Sequence, residues 1–238
     1  MVDANPRFVL VHSPLLGPSA WEWVARELEQ RGRSAVVPSL LGVAHESYRP
    51  WRDVCEAVDA ASTRPAETVV LVAHSGAGAL LPAIAGSLSE DVAALVFVDA
   101  FLPPARGMAR MVPAEFVDQL RALATDAVLP PWSDWFGEEV MRDLVPDGAR
   151  RARVEHDMPR LPLSFLQSEV PVPDGWDRRP CAYLLLSAQP YAPAAADARA
   201  RGWPVAEIEG GKHLDLVRRP DTVAAALLDL ERAMPARQ

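Results

Sequence analysis

Short apolar, β-branched runs alternate with segments of helical period along this chain, and that alternation restricts it to a sheet covered by helices on both faces. Phe8-Val9-Leu10-Val11 has no polar side and stops at His12-Ser13-Pro14, as a strand buried on both faces does when turn chemistry takes over. From Ser19 to Gly32, Trp21, Val24, Ala25 and Leu28 fall at helical spacing, with Ser19 as expected N-cap and Gly32 as terminator. The pattern repeats: Ala35-Val36-Val37 as strand, about 51–63 as helix, Thr68 to Ala73 as strand, Gly76 to about Leu88 as helix, and Val92 to Val98 as strand. Strands separated by helices imply right-handed crossovers and a parallel sheet. The expected class is α/β: a doubly wound, mostly parallel sheet of about six strands flanked by helices.

After Phe101-Leu102-Pro103-Pro104 the rhythm breaks for about 75 residues, with scattered prolines, Trp132, Trp135 and Trp176, and no obvious strand. Strand character returns at Cys181 to Leu186, followed by a helix near 193–202, a strand from Val205 to Ile208 and a last helix from about Asp221 to Met234. The expected organisation is a core of 1–102 and 179–238, with a helical cap, 103–178, inserted after the fourth strand.

Composition narrows the partners. The 32 Asp and Glu residues exceed the 24 Lys and Arg, giving a net charge of −8, and no run of five basic residues occurs, so nucleic acid is not an expected partner. No apolar stretch reaches about 18 residues, and Met1 to Arg7 lacks the basic-then-apolar profile of a signal peptide. No membrane association and a cytoplasmic location are therefore expected. Cys55 and Cys181, the only cysteines, provide neither a disulfide framework nor a four-ligand zinc site. Neither metal nor cofactor is expected; the partner is a small-molecule substrate, and the chain acts as monomer or homodimer.

The strand Val69-Val70-Leu71-Val72 runs directly into Ala73-His74-Ser75-Gly76-Ala77-Gly78 and then a helix. Ser75 thus sits on a sharp strand-to-helix turn, where small residues at 73 and 77 allow strand and helix to approach closely enough to present its hydroxyl outward. The Gly76 N–H beside it, at a helix N-terminus, suits a developing oxyanion. The bland alternative is a serine that caps a helix. A second alternative reads Gly76-Ala77-Gly78, followed by a strand ending in Asp99, as a dinucleotide fingerprint, although Leu81 replaces its third glycine and the motif lies on the third strand.

Gly210-Gly211-Lys212-His213-Leu214 follows a strand and precedes the final helix, on the sheet edge that carries Ser75. A neutral imidazole there is the base that a serine hydroxyl needs. Of the five histidines, His12 and His74 lie in turns beside other candidate parts, whereas His45 and His156 lie in loops or the insertion.

Ala73-His74-Ser75-Gly76-Ala77, His12-Ser13 after the first strand and Gly211-Lys212-His213 together resemble the α/β-hydrolase fold family, over nearly the whole chain. The chain looks most like the small branch of plant hydroxynitrile lyases and methyl esterases, whose first-strand loop also carries His followed by a small hydroxyl residue. The resemblance implies a Ser-His-acid triad of Ser75, His213 and an acid, with an oxyanion hole of two donors. Two departures stand out. The usual acid after the penultimate strand is absent, since Leu184 to Pro190 contains no carboxylate; some family members place it at the end of the strand after the nucleophile helix, which is Asp99 here. The alternative role for Asp99 is capping the start of the insertion. Pro14, which has no N–H, occupies the place of the second oxyanion donor, so Ser13 or Leu15 must substitute.

The insertion should cover the site. His12, His74, Trp21, Leu102, Met108, Met111, Trp132, Trp135 and Phe136 are candidate pocket residues, with Phe101, Phe116 and Leu41-Gly42 also within reach; apolar walls suit an uncharged substrate. The expected function is a serine hydrolase of an ester, thioester or lactone. The alternatives are a lyase or cyclase of specialised metabolism that uses Ser75 and His213 as acid and base, and a non-catalytic small-molecule binding protein.

Overall fold

The computed structural model describes residues 5–43, 49–62 and 68–235. Strand β1 (Arg7–Val11) is buried at every position, as its apolar composition demands. It is followed by α1 (Ser19–Gln30), β2 (Ala35–Val36), α2 (Pro50–Ala61), β3 (Thr68–His74), a 3₁₀ segment (Ser75–Leu80), α3 (Leu81–Ser87) and β4 (Asp91–Val98). The expected end of α2 at residue 63 lies outside the described residues, as does His45.

The next stretch contains β5 (Gly107–Arg110), α4 (Val117–Leu123), β6 (Val128–Leu129), α5 (Glu138–Leu144), α6 (Gly148–His156), β7 (Leu161–Pro162), α7 (Leu163–Gln167) and β8 (Glu169–Val172). Helices make up most of the regular structure in this stretch, and strands that are not obvious in the sequence join them: β5 pairs antiparallel with β8, and β6 with β7. These strands are too short, and carry too much Gly and Pro at Gly107, Pro162 and Pro171, to leave an alternating pattern. The chain then completes the sheet through β9 (Cys181–Leu185), α8 (Ala188–Ala200), β10 (Val205–Glu207), α9 (Asp215–Arg218) and α10 (Pro220–Ala233).

The main sheet has the order β10-β9-β4-β3-β1-β2, and every neighbouring pair is parallel. Alternate side chains divide between two cores. Val9, Val69, Leu71, Leu95, Phe97 and Tyr183 pack under α2, α3 and α8, whereas Phe8, Leu10, Val70, Val72, Val96 and Leu184 pack under α1, α9 and α10. Trp176, at the return from the insertion, belongs to the first of these cores. Its ring meets Phe97 edge-on at 5.8 Å, and its Nε1–H donates to the Pro104 carbonyl at 2.9 Å.

Two local expectations fail for identifiable reasons. Ser19 is the first residue of α1 rather than its cap, Pro18 taking that place, and the Ser19 hydroxyl donates to the Arg153 carbonyl of the insertion. The helix expected from Gly76 begins as a 3₁₀ segment and becomes regular only at Leu81, where Pro82, lacking an N–H, can occupy the first turn.

The candidate active site

The order of strands reverses between β1 and β3, and the crevice there, at the C-terminal ends of the strands, is the customary ligand position in an open parallel sheet. Five loops meet there. Ser13 follows β1, Ser75 follows β3, Asp99 follows β4, Ser187 follows β9 and His213 follows β10.

Ser75 has φ +57°, in the left-handed region that a non-glycine residue seldom occupies. The turn is held by its neighbours. Ala73 and Ala77 are fully buried, and a Cβ on Gly78 would come within 2.7 Å of Ala100 Cβ and 3.2 Å of the Phe101 carbonyl oxygen. Asp99 is also left-handed, at φ +42°. Its buried carboxylate does not cap the insertion: it accepts hydrogen bonds from Leu186 N–H at 2.6 Å, Ser187 N–H at 3.0 Å and the Ser187 hydroxyl at 2.5 Å. Asp99 Oδ2 also lies 3.0 Å from His213 Nδ1. The loop after β9, which has no carboxylate of its own, therefore supplies donors to a carboxylate at the end of the neighbouring strand.

His213 is carried by a loop pressed against the sheet, since a Cβ on Gly211 would run into the carbonyl oxygen of Leu186 and come within 2.7 Å of that of Ile208. Its ring lies between two others, 4.4 Å from His74 and stacked on Tyr191 at 5.1 Å with 10° between the planes. The Ser75 hydroxyl makes its hydrogen bond with Tyr191 Oη, at 3.4 Å, rather than with His213.

Ser75, Gly76, Ser13, Leu15 and His213 line one cavity of about 330 Å³, and Met111, Trp132 and Phe136 join its wall from the insertion. Phe101 and Phe116 also reach it; Leu41 and Gly42 do not. Among the second-donor candidates, Leu15 N–H is already bonded to Ser13 Oγ at 3.3 Å. That bond uses a lone pair of the Ser13 hydroxyl and leaves its hydrogen free to donate.

Several pocket assignments need correction. His12 and His74 are buried behind the cavity. His12 Nδ1–H donates to the Ser13 carbonyl at 2.8 Å, its Nε2 accepts from Leu40 N–H at 3.0 Å, and burial lowers its pKa to about 4. His74 Nε2–H donates to the His213 carbonyl at 3.1 Å, and burial, then the proximity of His213, holds its pKa well below the usual imidazole range. Trp21 is likewise inside the core, where its Nε1–H donates to the Val11 carbonyl at 3.1 Å. Trp135 faces the insertion interior, donating to the Pro130 carbonyl at 3.0 Å. Leu102 packs against the core, and Met108, on β5, is 48% exposed and outside the cavity wall. Conversely, Val112, Val140, Leu144, Leu166, Ser187 and Tyr191 line the cavity although none of them belongs to the motifs above. Ser187 and Tyr191 both follow the end of β9 on the edge that carries the site, but neither has a pattern of neighbours that marks it.

Residues 8–226 match the sequence profile of the alpha/beta hydrolase family. The chain belongs to the alpha/beta hydrolase family. A carbendazim hydrolyzing esterase of Nocardioides sp. (strain SG-4G) is 25% identical over 261 residues, covering 94% of this chain and 98% of that protein. Among solved structures, polyneuridine aldehyde esterase superposes with a TM-score of 0.70 at 19% identity, over 95% of this chain and 99% of that one. Tomato methylketone synthase I superposes at 0.71 and 15% identity, over 96% and 98%. Membership of this family, with an esterase-named relative matched over nearly its whole length, makes the chain a carboxylesterase-like enzyme. Among the described residues, no helix is long and apolar enough to cross a membrane, and no group of three or more His, Cys, Asp or Glu side chains could hold a metal ion.

Proposed function

We propose that the chain is a serine hydrolase in which Ser75 attacks the carbonyl carbon of an ester, thioester or lactone, His213 carries the proton and Asp99 orients His213. The observation that carries this reading is the Asp99–His213 contact of 3.0 Å, on a histidine that shares its cavity with a serine held at φ +57°. The buried carboxylate fixes the imidazole with Nδ1–H toward Asp99, so that Nε2 is the nitrogen available to the substrate side. Gly76 N–H and the Ser13 hydroxyl would hold the oxyanion, a pairing supported by their nearness, since a Cβ on Gly76 would lie 3.9 Å from Ser13 Oγ.

The substrate is uncharged, because among the described residues no Asp, Glu, Lys or Arg side chain lines the cavity, and apolar over most of its surface, because Leu15, Leu16, Phe101, Met111, Trp132 and Leu166 do. Residues 103–178 act as the lid that sorts such substrates. The esterase names of the relatives agree with this chemistry. Intact-mass measurement after fluorophosphonate treatment tests it without knowledge of the substrate. One adduct is expected on the wild type, absent in Ser75→Ala and His213→Ala and slowed in Asp99→Asn; an unlabelled, folded wild type overturns the reading. On a substrate found by screening, Asp99→Asn should lower kcat by about 10⁴-fold, as replacing a triad acid by its amide does elsewhere.

A second reading is supported by the Ser75 hydroxyl's bond to Tyr191 rather than His213 and by Pro14 in place of an N–H donor. In it, Ser75 and His213 act as acid and base in a lyase or cyclase reaction. Product formed in H₂¹⁸O separates the two: incorporation of label supports hydrolysis, and its absence supports the lyase or cyclase.

A further inference from the structure

Two buried tyrosines flank Asp99, and they are used differently. Tyr183 has both hydroxyl functions occupied by one residue, donating to the Ala100 carbonyl at 2.8 Å and accepting from Ala100 N–H at 3.1 Å. Tyr191 has Ser75 Oγ as its hydrogen-bond partner, at 3.4 Å, and lines the cavity. Its ring is fixed on two sides, stacked on His213 and tilted against Phe101 with centroids 5.2 Å apart. Burial pushes its pKa up to about 12, with Asp99 acting in the same direction and the bond to Ser75 opposing it. The phenol therefore stays protonated at neutral pH and can donate but not act as a base.

The order of strands gives this donor a side. Ser75 stands on β3; β1, with Ser13, lies to one side, and β9 and β10, with Tyr191 and His213, lie to the other beyond β4. An oxyanion held toward Gly76 and Ser13 leaves the departing group on the flank of Tyr191 and His213. Resting on the hydrolase reading above, we propose that Tyr191 is a further catalytic residue, donating a hydrogen bond to the leaving-group oxygen, and that this fits the site to esters that expel a basic alkoxide rather than a phenolate.

The step balances with no additional reagent. Ser75 Oγ bonds to the carbonyl carbon as its proton passes to His213 Nε2. On collapse of the tetrahedral intermediate, the bond from that carbon to the leaving oxygen breaks and its electron pair stays on the leaving oxygen, which takes the proton from His213. Tyr191 keeps its own proton throughout. Its hydrogen bond, released from Ser75 Oγ when that atom becomes an ester oxygen, stabilises the charge that builds on the leaving oxygen. Such help matters where the leaving group is strongly basic and little where it is already stable as an anion.

The test compares kcat/KM, which reads the acylation step, for an alkyl ester and the p-nitrophenyl ester of one acid, in the wild type and in Tyr191→Phe. The alkyl ester should lose activity on the order of 10²-fold, and the p-nitrophenyl ester less than about threefold. Fluorophosphonate labelling and thermal melting are followed in parallel, and Tyr191→His, which keeps a ring N–H donor, should recover part of the alkyl-ester activity if it folds. Equal losses on both esters, no loss on either, or a normally melting Tyr191→Phe that no longer labels would overturn the proposal while leaving the hydrolase reading intact. A wild type that never labels overturns both.

Discussion

A buried imidazole is held neutral by the low dielectric around it, and His12 and His74 brace this site in that form. His12 ties the Ser13 carbonyl to the Leu40 amide; His74 ties the strand that carries Ser75 to the loop that carries His213. The cost appears on acidification. The unfolded chain takes up protons on these rings near the ordinary value of 6.5, while folded His12 resists down to about 4, so the unfolded state binds more protons in that window and stability falls as pH drops through it. Above pH 7 the rings are neutral in both states and contribute no slope. His12 alone should remove on the order of 3 kcal/mol between pH 7 and pH 4, and His74 adds to it with the same sign. Urea midpoints across that range check this; a flat profile would mean that His12 is protonated in the fold. At this scale the sequence was informative about residues whose neighbours constrain them. Ser75 and His213 announced themselves through small residues and glycines that a side-chain-bearing turn requires. Tyr191 did not, because no local pattern tells whether a buried tyrosine's hydroxyl meets a carbonyl, as that of Tyr183 does, or the hydroxyl of Ser75.

Strand pairing does at the level of elements what hydrogen bonds do for single groups. His74 is paired with Val98 across β3 and β4, so Ser75 and Asp99 are the next residues beyond two registered strand ends, and their relative position is inherited from the sheet. His213 depends instead on how closely its loop can lie on β9. Gly211→Ala should therefore strain the loop against the Leu186 and Ile208 carbonyls, costing about 1–3 kcal/mol in urea unfolding and lowering kcat more than KM; a variant as stable and active as the wild type would show that the loop can shift freely. The same contrast explains which elements could be read in advance. Long apolar strands such as β1, β3 and β4 carry their burial in most of their residues. Strands β5 to β8 have two to four residues each and owe their existence to partners across the insertion, information that no local window contains.

Seen whole, the molecule encloses its cavity between a rigid sheet edge and the insertion, with the chemistry on one side and most of the apolar wall on the other. Phe136, 47% exposed and edge-on to Trp132 at 5.8 Å, stands at the rim of that wall. Phe136→Ala should raise KM for a bulky apolar ester by about 3- to 10-fold through lost apolar contact, leave kcat nearly unchanged and shift the melting temperature little; a fall in kcat instead would mean that the rim helps to shape the reacting centre. The doubly wound core could be anticipated because alternation of strands and helices is a property of the entire chain, whereas the path of the insertion was hidden behind its prolines. The insertion leaves the sheet after β4 and rejoins it at β9, strands that are themselves paired from Leu95 with Cys181 to Val98 with Leu184, and its own outermost strands, β5 and β8, zip together at the neck. A head joined through a single pair of chain crossings could be replaced whole without disturbing any strand of the six-stranded sheet.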